Sequence, residues 1–418
     1  MKMTRRNYLT LSTAGLAGAV SACAYGANSE AYAANETVTN FPDRHSFDLG
    51  KTVYLNAASQ HPMLRQSQAE IDAYLAHKKT FAPGDDYHLN TKAPIEKFAK
   101  LVNVDPSDLT YVQSTTAGEQ AILRSLGLPK KGAKIVTDTL HFFASLPVYA
   151  DFEKKGCEVT WVKARDNKIH MEDMEKAIQP GTKLVALSLV STFNGFQHDL
   201  KAVCDLAHSR GALVYADIIH AAGCIPLDLS ESGVDFAACA SYKWLMGDFG
   251  LGFLYASKAG RAHLERSNWG YYGMSEFKSH IYPFDPPSDT IVDYAFSDDT
   301  SGWFALGTYN HVTAAQLNGS LEYILAHGVD KIQSHANLLT AQLVEGMQTR
   351  GFDVITPEGT STPIVAAAYQ DAREKLGARF KDAGISTSIS THRIRPSVSV
   401  FNTSTDIEHF LDVLGNAQ

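Results

Sequence analysis

The chain has 418 residues, of which 44% are hydrophobic and 20% charged, and carries a formal charge of −8 from 37 basic and 45 acidic side chains. That length points to about two domains of an ordinary globular protein. The acidic balance excludes electrostatic attraction to a nucleic-acid backbone, and no collagen-like, coiled-coil or low-complexity pattern is present.

Residues 1–34 read as a leader separate from the fold. Lys2, Arg5 and Arg6 precede a weakly apolar run from Tyr8 to Val20 and then small residues. The run is too short to span a bilayer, which takes roughly 20 apolar residues, and suits the apolar centre of a secretion signal. "TRRNYL" resembles the twin-arginine export motif, which implies a periplasmic protein that leaves the cytoplasm already folded. "VSAC" at 20–23 resembles a lipoprotein box, which would attach the chain to a membrane through Cys23; "AYA" at 31–33 offers an ordinary cleavage site instead. The remaining cysteines, Cys157, Cys204, Cys224 and Cys239, lack metal spacing and sit in apolar contexts, so they read as buried free thiols.

From about residue 110 to 256, short apolar runs alternate with amphipathic segments. Strands are expected at 108–114, 133–138, 157–162, 184–190, 212–217, 234–240 and 252–257, with helices at 117–126, 142–156 and 200–211. This alternation predicts an α/β fold with a mostly parallel sheet sandwiched by helices. Residues 258–305 are aromatic and irregular, with "YPFDPP" as a breaker cluster. A helix over 311–328 follows, and then two helices flanking short strands around 352–357 and 396–402. The expected division is a segment 35–62 packing with the small domain, a large domain 63–305, and a smaller α+β domain 306–418.

In a parallel sheet, ligands collect at the carboxyl ends of the strands. The segments there are "QSTTAG" (113–118), "LHFF" (140–143), "VSTFNG" (190–195), "YADIIHAAG" (215–223) and "CASYKW" (239–244). They hold hydroxyls at a helix start (Ser114, Thr115, Thr116), a flat ring (His141), an acid (Asp217), a second histidine (His220) and one amine (Lys243). An amine in apolar surroundings is pushed toward its neutral, nucleophilic form. A carboxylate at a buried strand end needs a positive partner, and a helix start binds anions. Amine, acid, flat ring and anion site together describe the requirements of pyridoxal 5'-phosphate. Each residue alone has an ordinary structural reading: a solvated strand end for Lys243, a helix cap for Asp217, core histidines for His141 and His220, N-caps for Thr115 and Thr116. Their joint order along the chain favours the cofactor.

On these residues the sequence resembles the fold-type I pyridoxal-phosphate enzymes of aminotransferase class V, a group including cysteine desulfurases, isopenicillin N epimerases and kynureninases. The resemblance runs from "VYLNAAS" (53–59) to "RIRPSVSVFNT" (393–403), and its most specific part is "VYADIIHAAG…VDFAACASYKW". It implies a seven-stranded sheet, Lys243 as the Schiff-base lysine and proton shuttle at the substrate Cα, and Asp217 as the acid on the pyridine nitrogen. His220 would contact the ring's phenolic oxygen, with Thr192 near that oxygen and Asn194 as its competitor. His141 would stack on the ring, with Phe142 in its place if the register is one residue off. Thr115, Thr116 and Tyr242 would bind the phosphate. Thr308 in "LGTYN" would reach the phosphate of a neighbouring subunit, implying a homodimer. Arg395 would grip the substrate α-carboxylate, with Arg393 competing for the role.

The implied activity lies at the α-carbon of a small-molecule amino acid, by transamination or epimerisation, with carbon–sulfur bond elimination or non-catalytic cofactor binding as alternatives. Cysteine desulfurases of this group need a thiol on a loop of the small domain, and no cysteine follows Cys239. The side-chain pocket is expected to be lined by residues 258–305 and by the partner subunit.

Overall fold

A computed structural model describes residues 41–81, 84 and 87–417. The leader, with Arg5, Arg6 and Cys23, lies outside these residues. Runs rich in Val, Ile, Ala and Phe build a seven-stranded sheet. From one edge its order is Leu109–Val112, Gly252–Ala256, Phe236–Ala240, Leu213–Asp217, Thr182–Ser188, Lys134–Asp138 and Glu158–Val162. Only Gly252–Ala256 runs antiparallel to its neighbours. The other pairings are parallel, so the carboxyl ends of six strands open on one side. Side chains alternate between two faces, and both are buried. Phe236, Ala238 and Leu254 join Ile122, Leu126 and Tyr149 under one layer of helices. Ala237, Cys239 and Phe253 join Phe98 and Leu317 under the other. Coverage on both faces explains the near-continuous apolar runs.

A second sheet has the order Val53–Leu55, Ile385–Ile389, Arg393–Arg395, Ala367–Ala368 and Asp353–Val354. Its first strand comes from the N-terminal segment and pairs in parallel with Ile385–Ile389. Three helices, Val329–Thr349, Ala372–Asp382 and Ser404–Leu414, belong to this region, one more than expected. Their apolar faces share a core with the sheet through Leu343, Met347, Phe380 and Phe410.

Two further expectations change. The strand placed at 396–402 ends at Arg395 instead, and Ser397 makes only isolated bridges to Asn56 and Ile364. Pro396 has no N–H to extend the ladder. The region 258–305, read as irregular, contains an antiparallel hairpin of Met274–Ser279 with Val292–Phe296. The breaker cluster that hid the hairpin occupies its loop. Phe277, Tyr282, Phe284 and Tyr294 of this hairpin are exposed.

Candidate functional site

Asp217 is the last residue of a central strand. Its Oδ1 accepts the Ile219 N–H at 2.9 Å, and its Oδ2 lies 3.5 Å from the Ser188 hydroxyl of the neighbouring strand. Burial raises the carboxyl's affinity for its proton; the Ile219 bond and the positive charges of His141 and Lys243 oppose this, and the net shift remains upward.

Lys243 follows the Phe236–Ala240 strand in a loop pinned from several sides. Ser241 donates to the Leu251 and Asp248 carbonyls at 2.7 and 2.9 Å, and the Gly247 N–H returns to the Ser241 carbonyl at 2.9 Å. Gly223 has φ +93, and a Cβ there would meet the Trp244 carbonyl oxygen at 2.7 Å, so only glycine allows the two site loops to pack this closely. Lys243 is left 6% exposed, with Nζ 2.9 Å from His220 Nε2. Burial lowers its pKa to about 7, although Asp217 opposes the shift. Burial and the charges of Lys243 and Arg395 push His220 well below its ordinary value, keeping the imidazole neutral.

The helix Thr115–Ser125 starts at the same sheet edge. Ser114 caps it, accepting the Ala117 N–H at 3.1 Å, and the Thr115 hydroxyl accepts the Ala240 N–H at 2.9 Å. Gly118 permits the close approach: a Cβ there would lie 2.9 Å from the Ala238 Cβ. The helix start, with its free amides and the Thr115 and Thr116 hydroxyls, is thereby held against the strand that leads to Lys243.

The stacking assignment of His141 requires correction. His141 is fully buried, with Nδ1 2.8 Å from Ser188 Oγ and Nε2 3.2 Å from Glu119 Oε1. A ring that stacks on a ligand must present a face to open space, and this one presents none. The alternative, Phe142, is half-buried, and its N–H donates to Ser188 Oγ at 3.1 Å, beside the Asp217 carboxylate.

Arg395 ends a strand of the smaller sheet and is 5% exposed. It donates to the Thr192 hydroxyl at 2.6 Å, the Thr192 carbonyl at 2.9 Å and Ser59 Oγ at 2.9 Å. Burial, with Arg393 nearby, lowers its pKa to about 10, which leaves it charged at neutral pH. Arg393 is only half-buried; its guanidinium lies over the Phe193 ring and donates to the Phe193 carbonyl at 3.2 Å. Asn194 is engaged by Asn167, Ile355 and Phe196, whereas Thr192 meets Arg395 directly.

Tyr242 stacks on Phe249 at 4.4 Å, with Lys243 Nζ 5.6 Å from its ring centre. Thr308 is exposed and lines, with Ser114, Thr116, Gln120, Arg124 and Tyr309, a cleft of about 1070 Å³. Lys243, Asp217, His220 and Arg395 do not line that cleft, so within one chain Thr308 is not gathered with them.

The donor set fits pyridoxal phosphate. Buried His220 Nδ1 and Arg395 Nε have no hydrogen-bond partner among the described residues, although unpaired buried donors are costly. A ligand carrying a phenolic oxygen and a carboxylate would satisfy groups of this kind. No cluster of acidic, histidine or cysteine side chains among the described residues suits a metal, and the four described cysteines are free and buried.

Sequence reasoning missed Ser59, Ser188 and Glu119. Ser188 carried a weak signal, a hydroxyl at the end of the apolar run "LVALS". Glu119 carried another, an acid on the inward face of a helix otherwise packed with Ala121 and Ile122.

The family model Aminotransferase class-V matches residues 56–410. An uncharacterized aminotransferase, YcbU, of Bacillus subtilis is 23% identical over 334 residues, covering 77% of this chain and 84% of the relative. Cysteine desulfurase IscS of Shewanella baltica is 24% identical over 334 residues, covering 76% and 78%. Among solved structures, the apo cysteine desulfurase of Thermococcus onnurineus superposes with TM-score 0.76 at 20% identity, covering 90% of this chain and 98% of that one. The cystine C-S lyase C-DES in complex with cysteine persulfide gives 0.77 at 17% identity, covering 88% and 99%. At these identities the structural likeness carries the fold.

Proposed function

The chain belongs to the aminotransferase class-V family, and from that premise we propose how its own residues serve a pyridoxal-phosphate enzyme acting at the α-carbon of an amino acid. The carrying observation is the buried Lys243 amine, 2.9 Å from a neutral His220 and with its pKa lowered by burial to about 7, so that a large share is unprotonated at neutral pH. The cofactor supplies an aldehyde for an amine and a protonated ring that accepts the electrons released at Cα. Lys243 would hold the cofactor through its aldehyde and stands where an amine could carry a proton at the substrate Cα. Asp217, when ionised, would pair with the protonated ring nitrogen. His220 and Thr192 would hold the phenolic oxygen. Phe142, the half-buried neighbour of His141, supplies the stacking ring. Thr115, Thr116, the amides of their helix start and Tyr242 hold the phosphate. Arg395 keeps its charge and a planar fork for the substrate carboxylate. Its bonds to Thr192 and Ser59 place that fork before substrate arrives.

Transamination or epimerisation is the first reading. Elimination at a carbon–sulfur bond is the second, favoured by the cysteine desulfurases among the relatives. Delivery of sulfur to a loop thiol is not open to this chain, because no cysteine follows Cys239. Incubating the yellow holoprotein with single amino acids, with and without a 2-keto acid, separates the readings. A product amino acid that depends on the keto acid supports transamination, and loss of optical rotation without it supports epimerisation. Pyruvate and sulfide from cysteine or cystine support elimination. No turnover and no spectral change with any amino acid would contradict all three.

We further propose a homodimer in which Thr308 serves the partner's phosphate site, and periplasmic export through the twin-arginine route. Replacing Arg5 and Arg6 by lysine should then trap a reporter fused behind residues 1–34 in the cytoplasm; normal export of the double variant would contradict the route.

A further inference from the structure

Glu119 and His141 lie in the core behind the site, and nothing in the chemistry above uses them. Glu119 comes from the helix Thr115–Ser125, whose start is assigned to the phosphate. Its carboxylate accepts from the Ser145 hydroxyl at 2.6 Å, the Tyr149 hydroxyl at 2.7 Å and His141 Nε2 at 3.2 Å. His141 Nδ1 reaches Ser188 Oγ at 2.8 Å, and Ser188 Oγ reaches Asp217 Oδ2 at 3.5 Å. All six side chains, Glu119, His141, Ser145, Tyr149, Ser188 and Asp217, are nearly or fully buried.

We propose that Glu119 and His141 form a buried positioning pair that acts through the Ser188 hydroxyl to keep Asp217 ionised behind the cofactor's ring nitrogen.

The donors allow one consistent arrangement. A carboxylate with three donors around it favours its ionised form, and its charge favours a proton on both nitrogens of His141. His141 Nε2–H then donates to Glu119 and Nδ1–H to Ser188. The Phe142 N–H also donates to Ser188 Oγ, at 3.1 Å. With both lone pairs of that oxygen taken, its own proton points to Asp217 Oδ2. If His141 were neutral, Nδ1 would instead accept the Ser188 proton, and Asp217 would lose both a donor and a nearby positive charge.

The charge of Glu119 itself raises the affinity of Asp217 for its proton, so the support for the ionised form comes from the His141 charge and the Ser188 hydroxyl, and Glu119 acts only by holding the proton on His141. Asp138, from the adjacent strand end, adds negative charge toward His141, and its Oδ2 lies 3.2 Å from His198 Nε2. Tyr149, whose ring centre lies 5.9 Å from that of His141, is held neutral by burial, as is Tyr215 beside Tyr149. Burial alone would strip the proton from His141, yet the bond and charge of Glu119 outweigh it and raise its pKa. Burial would likewise protonate Glu119, and the His141 bond and charge reverse that.

The inference rests on Asp217 facing the ring nitrogen, so its test separates the two. The apoprotein is titrated with pyridoxal phosphate and with the analogue whose ring nitrogen is replaced by C–H, in the native chain and in Glu119→Gln, Ser188→Ala and Ser188→Thr. The native chain should prefer the natural cofactor. Glu119→Gln and Ser188→Ala should each cut that preference about tenfold, the change expected for one unit of carboxyl pKa, while affinity for the analogue stays the same. Ser188→Thr, which keeps the hydroxyl, should retain the preference. A purely structural role would weaken both ligands equally and leave the ratio unchanged, which would overturn the pair's proposed role. A native chain with no preference would overturn the placement of Asp217, and the pair's role with it.

Discussion

Lys243 gains its chemistry from burial: an amine held 6% exposed near one buried acid and one buried guanidinium is a weak base. This has a measurable effect on stability in the apoprotein. Folded Lys243 titrates at about 7 and the unfolded side chain at 10.5. Between these values the unfolded chain binds the extra proton. The native state therefore gains about 1.4 kcal/mol per pH unit as pH rises through that window, with no further change from this group below 7. Lys243→Met removes the group. At pH 7 the apo variant should melt above the native apoprotein, and its advantage should shrink steadily toward pH 10. A difference in melting temperature that does not vary with pH would contradict a depressed lysine. Asp217 and Lys243 were both legible in the sequence because an ionisable residue interrupts an otherwise apolar segment. The enclosure of His141 was not, since a register of one residue decides which of two adjacent rings faces the cofactor. Only the contacts with Ser188 and Glu119 distinguish them.

The site depends on how closely its elements pack. The helix Thr115–Ser125 crosses the Phe236–Ala240 strand at Gly118, where a methyl group would stand 2.9 Å from Ala238 Cβ and 3.3 Å from Leu254 Cδ1. Gly118→Ala should lift the helix start from the sheet, weaken phosphate binding and destabilise the fold by about 1–3 kcal/mol. Cofactor titration and thermal unfolding check this. A variant with native affinity and melting temperature would show that the approach is not needed. The strands between 109 and 256 were legible because each buried strand is a short apolar run bounded by a turn; three of the helices there were expected, whereas the short helices Met171–Ala177 and Leu229–Ser232 were not. The hairpin Met274–Ser279 with Val292–Phe296 was not legible. Its exposed aromatics lack the alternation of a half-buried strand, and its loop holds the Pro-rich cluster. The end of the strand at Arg395 is a similar case: "PSVSVF" has strand composition, but Pro396 stops the ladder and leaves Ser397 to isolated bridges.

Across the whole molecule, residues distant in sequence meet at one sheet edge, from Ser59 to Arg395. Thr308 is the exception: it lines a cleft beside the helix start with Ser114 and Thr116, away from Lys243, Asp217, His220 and Arg395. If it serves a partner subunit, Lys243→Ala and Thr308→Ala chains, each impaired alone, should recover activity when unfolded and refolded together, because one mixed site would carry both native residues. No recovery in a verified mixed dimer would contradict a shared site. Every assignment, however, depends on the proposed covalent bond between Lys243 and the cofactor. Borohydride reduction of the yellow holoprotein followed by peptide mass mapping tests it most directly. The reduced pyridoxyl adduct should appear on the peptide containing Lys243 and be absent from Lys243→Ala. An unmodified Lys243 peptide from fully loaded protein, or the adduct on another lysine, would contradict it.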